Sequence, residues 1–399
     1  MERRTSPSQV GNIERKEAAK TDKRQSQRVF DNIYEQLKYH NDLTTPEKHV
    51  EIFLQEISDG AERHVDTIES GGLKNVQIFD EIWQMMDKNL AEYAAAHQGN
   101  ASRIEKRKNE VVDTYQKLTT HVNTLVARGA VSPLAAKVFL RALPNFKHIG
   151  DYNAIVSNTE NISADVLKKK GEAFAKVEEE IFAKYPDENK QVADNFGWLH
   201  FNTNVGGKVK NRVYISASLE QAPDQVVRAW DEALVETGLQ EKVCFKLPYG
   251  LMKRFETIII YLTDKTKDQD VEHLLSAFIK HTPDSLLNDK DMPTGVPIHR
   301  GITMAPEPSN INTFLECIGS ENTISYNNLM AALVQLAFEL SYRDAKKSNL
   351  ADLNPKILKP GAAVYFDQMV ALAGINPDTM VPNVQGGQPP EWAKKIASL

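Results

Sequence analysis

The feature that most constrains this chain is a change in the spacing of its apolar residues near position 195. Before it the pattern is helical: Val50, Phe53, Leu54 and Ile57 fall at i, i+3, i+4 and i+7, one buried stripe on an otherwise charged helix. After it, short β-rich runs alternate with helices of about a dozen residues. A chain with this order is expected to be α+β. An N-terminal helical bundle or extension precedes an α+β domain with a small mixed or antiparallel sheet and packed helices.

Helices are expected near residues 28 to 39, 46 to 69, 76 to 97, 101 to 129 and 163 to 184. Thr45-Pro46-Glu47 places a proline at a first helical position behind a threonine cap. Gly71-Gly72 and Gly99-Asn100 close segments, and Ser132-Pro133 opens a short one. A soft boundary falls between about 150 and 195, giving a leader over 1–27, a helical region over 28–190 and an α+β domain over 195–399. Within the second half, strands are read at Arg212-Val213-Tyr214-Ile215-Ser216, Lys242-Val243-Cys244-Phe245-Lys246 and Glu256-Thr257-Ile258-Ile259-Ile260-Tyr261. A helix from Pro223 ends at Gly238, and another spans about Asp268 to Lys280. Two more close the chain, one capped by Ser325 and one from Gly361 to Ala373.

Composition narrows the function classes. Hydrophobic residues make up 41%, charged residues 26%, and the net charge is -6, so nothing global points to nucleic acid. The two cysteines, Cys244 and Cys317, exclude a disulfide framework and a multi-cysteine zinc site. No apolar run suits a bilayer span or a secretory signal, so no membrane partner is expected. The first thirty residues hold eight Lys/Arg against four Asp/Glu and almost no apolar residues, a composition expected to be disordered. The histidines fit no metal-ligand spacing, and no GxxxxGK[ST], GxGxxG or GxSxG occurs, so neither metal nor cofactor is expected.

What remains is a local set of cations. Lys208, Lys210 and Arg212 are spaced by two, which puts all three on one sheet face if the strand reaches that far. Lys246 ends the neighbouring strand, and Lys253 with Arg254 lie across the following turn, Pro248-Tyr249-Gly250. A phosphate dianion suits such a rim, because arginine offers a bidentate fork and lysine a compact charge. His299 and Arg300 sit in a Gly- and Pro-rich loop of the kind that displays functional groups, and Arg300 joins the candidate phosphate ligands. His200 lies between apolar neighbours, and His281 follows a helix and precedes Thr282-Pro283. A solvated charged face is the alternative reading of the cations, and structural roles are the alternative for the histidines.

The order of these pieces resembles the HopA family of type III secretion effectors, whose C-terminal region is similar to the lyase component of lanthipeptide-type peptide-tailoring systems. The resemblance covers about a hundred residues. It rests on Arg212 to Ser216, on Lys242-Val243 leading to Tyr249-Gly250, on Arg254-Phe255-Glu256 before Ile259-Ile260-Tyr261, on His281-Thr282-Pro283, and on Gly295 through Ala305-Pro306-Glu307-Pro308. It implies a virulence effector secreted into a host cell, with a secretion chaperone on the N-terminal region and a phosphorylated protein or peptide as partner. It further implies metal-independent β-elimination of phosphate from phosphoserine or phosphothreonine. In that scheme Lys246 is the base and Arg212 and Arg254 hold the phosphate. Lys208 or Tyr249 meets the enolate charge, and His281, then His200, then His299 protonates the leaving oxygen. Ser216 stands where many relatives carry asparagine, and Asn310 to Phe314 replaces a common Ser-Phe-Gly-like stretch with a further arginine. Two other readings therefore stay open: a non-catalytic effector that binds a phosphorylated host protein, and a lyase that tailors a phosphorylated precursor peptide.

Overall fold

A computed structural model of the chain describes residues 24–39, 46–70, 75–157, 162–193, 197–290, 292–320, 323–350, 353–383 and 386–399. Most of the expected leader, Thr45, Gly71-Gly72 and residues 158–161 lie outside them. The fold is α+β, built on one sheet whose ladders are all antiparallel.

The first half is helical: α1 (Gln25–Tyr39), α2 (Pro46–Gly60), α3 (Asn75–Ala96), α4 (Ala101–Ala127), α5 (Pro133–Ala142), α6 (Tyr152–Val156) and α7 (Ala164–Lys184). Side-chain caps set several starts. Asn100, Ser132, Asp151 and Ser163 each accept a backbone N–H of the first turn, which satisfies donors that have no intrahelical partner. Helix α2 continues through a π-helical turn, Ala61–Asp66.

The sheet comprises β1 (Lys190–Ala193), β2 (Trp198–Phe201), β3 (Val209–Ile215), β4 (Cys244–Pro248), β5 (Ile258–Thr263), β6 (Val296–His299) and β7 (Ile302–Pro306), in the order β1-β2-β4-β5-β3-β7-β6. Interspersed with it are α8 (Pro223–Thr237) and α9 (Asp268–His281). After it come α10 (Ser309–Cys317), α11 (Tyr326–Lys347), α12 (Pro355–Leu372) and α13 (Glu391–Ile396). The C-cap Gly238 of α8 sits at φ 65, where a side chain would be strained.

Alternation gives the sheet two unlike faces. Phe201, Val213, Phe245, Leu247, Ile258 and Ile260 point one way and are buried. On that face Phe201 stacks on Phe245 with centroids 4.5 Å apart, and Trp230 of α8 meets Phe245 at 5.6 Å and Phe278 of α9 at 6.1 Å. The other face carries Arg212, Tyr214, Tyr261, Lys246, His200 and Trp198. A helical layer closes over its β3–β7 side, where Tyr214 and Tyr326 of α11 are both buried. That layer draws on both ends of the sequence: α11 and α12 pack against α1, α2, α5 and the π-helical turn, and the buried apolar cluster is continuous.

Several details differ from the sequence reading. The Gly- and Pro-rich loop read at His299 and Arg300 is the turn of a hairpin formed by residues 296–299 and 302–306. Pro297 is tolerated there because β6 is an edge strand. Strands β1 and β2 precede the first strand read from sequence. A β-bulge between Val209 and Asn211 breaks the two-residue spacing on which the Lys208–Lys210–Arg212 strip depended.

Candidate functional site

The polar face collects its groups on four central strands and one connection. Lys246 (β4) and His200 (β2) are register partners, and Arg212 (β3) is the register partner of Tyr261 (β5), itself opposite Cys244. Arg254 belongs to the long link between β4 and β5, which is pinned to the end of α6 where Phe255 N–H donates to Val156 O at 3.0 Å.

The indole of Trp198 is a shared platform. Lys246 Nζ lies 4.1 Å from its centroid and the Arg254 guanidinium 5.4 Å. Arg212 has a similar seat on the phenol of Tyr261, at 5.3 Å. Each arginine also meets a carboxylate: Arg212 pairs with Glu307 at 3.1 Å, and Arg254 with Glu256 at 2.9 Å. The glutamates are 10% and 0% exposed and the arginines 19%, so these charges are held with little water around them.

Burial and proximity set the protonation states. Burial chiefly, then the Arg212 charge and more weakly that of Arg254, draw the Lys246 amine down to about 8, with Glu256 opposing. Burial and Lys246 also lower His200, which makes it a neutral imidazole near pH 7. Burial pushes the Glu307 carboxyl up against the pull of Arg212, Asn312 and Lys208. It also raises the Cys244 thiol to about 11, so this residue beside Lys246 is an inert thiol.

Of the candidates from sequence, the fold brings Lys246, Arg212, Arg254 and His200 together, and Lys208 is near enough to act on Glu307. His281, Arg300 and His299 are elsewhere. His281 ends α9 and bonds Glu236 of α8 at 2.5 Å, with Glu232 at 3.8 Å, and both helices cover the apolar face of the sheet. Its place at a helix C-terminus answers to helix electrostatics and acidic neighbours, not to the phosphate rim. Arg300 is exposed at the β6–β7 turn, at the opposite end of β7 from Ala305, the register partner of Arg212. His299 shares that turn and contacts the Arg300 carbonyl, and Tyr249 is 60% exposed on the β4–β5 link.

Trp198, Tyr261, Glu256 and Glu307 have no assigned role in the sequence reading. One signal was present, since Trp198 lies two residues from His200 and so shares its face. The carboxylate partner of Arg212 is ninety-five residues away and leaves no local trace.

Among the described residues no group of three His, Cys, Asp or Glu side chains is placed to hold a metal ion, and no helix is long and apolar enough to cross a membrane. No protein-family model matches the chain. No curated protein matches it either. Among solved structures the chain is similar to an effector protein from Pseudomonas syringae pv. syringae strain 61, at 12% identity and a TM-score of 0.27, over 58% of this chain and 93% of that one. It is also similar to an effector protein from Pseudomonas syringae pv. tomato strain DC3000, at 9% identity and a TM-score of 0.28, over 59% and 95%. Both likenesses are distant, and the geometry above stands independently of them.

Proposed function

We propose that the polar sheet face handles a phosphate ester on a protein or peptide side chain and expels the phosphate by β-elimination. The observation that carries this reading is Lys246: an amine drawn to about 8 by burial and by the flanking Arg212 and Arg254, on a face where those cations converge. Near neutrality a useful fraction of such an amine is unprotonated, so it can act as a base.

In this reading Arg212 and Arg254 bind the phosphate of phosphothreonine or phosphoserine. Lys246 Nζ takes the Cα proton, and the electrons of that C–H bond become the Cα=Cβ double bond. The Cβ–O bond breaks, its pair leaving with the phosphate, whose growing charge the two guanidiniums meet. The products are a dehydroamino acid and inorganic phosphate. The motif order from Arg212 to Pro308 supports the same reading through its resemblance to HopA effectors. We extend the proposal accordingly to an effector delivered by type III secretion, acting on a phosphorylated host protein.

One observation favours a second reading, binding without chemistry. His200 is the imidazole on this face, and it is held neutral, which makes it a weak acid for the leaving oxygen.

Mass spectrometry of phosphothreonine and phosphoserine peptides incubated with the protein in a chelator separates the readings. Elimination leaves a residue one water lighter than dephosphorylation does, whereas a binder leaves the peptide intact. A hydrolysed, unsaturation-free product would refute the lyase.

A further inference from the structure

The two guanidiniums of the polar face are mounted in the same way. Arg212 rests on Tyr261, and its Nε and Nη2 donate to Glu307 at 3.1 and 3.3 Å. Arg254 rests on Trp198, and its Nε and Nη2 donate to Glu256 at 2.9 and 3.5 Å. An aromatic plane fixes the tilt of each fork, and a carboxylate gripping one edge fixes its rotation.

The grip on Arg212 is itself held. Asn312 of α10, a buried residue, donates from Nδ2 to Glu307 Oε1 at 3.2 Å and to Ile324 O at 3.1 Å, and its Oδ1 accepts from Ile324 N–H at 2.7 Å. A second tie fixes the backbone, because Glu307 N–H donates to Lys210 O at 2.8 Å across the β3–β7 ladder. Glu307 is therefore fastened to α10 and to β3 before it reaches the arginine.

Buried ion pairs are poor stabilisers, since desolvation offsets most of the attraction. Two such pairs with matching geometry on either side of one lysine call for a use other than stability. A guanidinium whose rotamer is already set loses less freedom when it binds an anion, and it presents a fork of known direction. We propose that Glu307, clamped by Asn312, and Glu256 are positioning residues that aim Arg212 and Arg254 at a phosphate monoester dianion in front of Lys246. This rests on the phosphate-handling reading of the same face. It assigns the two acidic residues of the site to recognition of the anion, with no proton passing through them.

The test uses the full chain and inorganic phosphate as probe, with affinity read by titration calorimetry and the folded state by circular dichroism and thermal melting. Glu307→Asp keeps the charge but withdraws it from the guanidinium edge, and Asn312→Ala frees Glu307 without altering any charge. Each is expected to raise the Kd for phosphate about tenfold, as for a charge-assisted bidentate contact that loses its geometry. Arg212→Lys is expected to add little to Glu307→Asp, because the lost contact is the same one. Glu256→Asp repeats the test at the second arginine, so one variant that fails to fold leaves the other decisive. Folded variants with a lower melting temperature and wild-type phosphate affinity would overturn the positioning role while leaving the phosphate site intact. Folded wild type with no affinity for phosphate would overturn both.

Discussion

The two faces of the sheet are made by the same strands, and they differ in everything but backbone. Phe245 and Lys246 are neighbours in β4: one stacks into a wall of Phe201, Trp230 and Phe278, the other stands among Arg212, Arg254 and Glu256. The first face gains stability from apolar area removed from water. The second gives some back, because its charges are partly desolvated and its amine is drawn well below its ordinary range. Such cost concentrated on one face supports the phosphate-handling role proposed for it.

Changing Lys246 should give the largest effect. Lys246→Met is expected to lower elimination by about 1,000-fold, the scale for loss of a general base, in the peptide mass assay. The same variant should melt higher than wild type at neutral pH. An amine lowered from 10.5 to about 8 binds fewer protons folded than unfolded between those values, so its cost is full below about 8 and fades as pH rises to 10.5. The gain should therefore vanish in alkaline solution.

The opposite face should answer in stability alone. Trp230→Ala removes the largest side chain of that wall and should cost roughly 4 kcal/mol in denaturant unfolding, while the folded fraction retains the proposed elimination at the wild-type rate. A loss of turnover in the folded protein would break the division between the faces.

A smaller effect is expected at Glu178 of α7. It is buried, accepts from Gly250 N–H at 2.8 Å, and has its carboxyl pushed up to about 8, chiefly by burial. The folded state then holds a proton that the unfolded state releases near 4.5, so stability falls as pH rises from 4.5 to 8. Glu178→Gln should flatten that fall and raise the melting temperature at pH 8 by roughly 5 °C. The smallest change belongs to His281→Ala. Its partners Glu236 and Glu232 lie on the covered side, so elimination rates should stay within about twofold of wild type, and stability within about 0.5 kcal/mol.

Much of the polar face was legible because strand alternation is a local rule. Lys246 and Arg254 could be brought to one rim with Arg212 from strand ends and turn position, the two-residue spacing read from Lys208 to Arg212 failed at the bulge, and His200 followed once β2 paired with β4. What spacing cannot encode is which residues arrive from elsewhere. Glu307 reaches Arg212 across the β3–β7 ladder, and Asn312 reaches Glu307 from α10, contacts set by tertiary packing. His281 was misplaced because a short motif specifies order along the chain but not the side of the sheet on which a helix lands. The β6–β7 hairpin was hidden by Pro297 and Gly301, residues that mark a loop unless the strand is known to be at an edge. The helical layer escaped for a similar reason, since nothing in their periodicity tells α11 and α12 to pack with helices three hundred residues earlier.

The central claim is that Lys246 is a poised amine rather than an ordinary surface lysine. Its titration can be followed through the lysine side-chain resonances, assigned by comparison with Lys246→Met. A midpoint near 8 is what the buried, doubly flanked position requires. A midpoint near 10.5 would leave the face with three plain cations and no base.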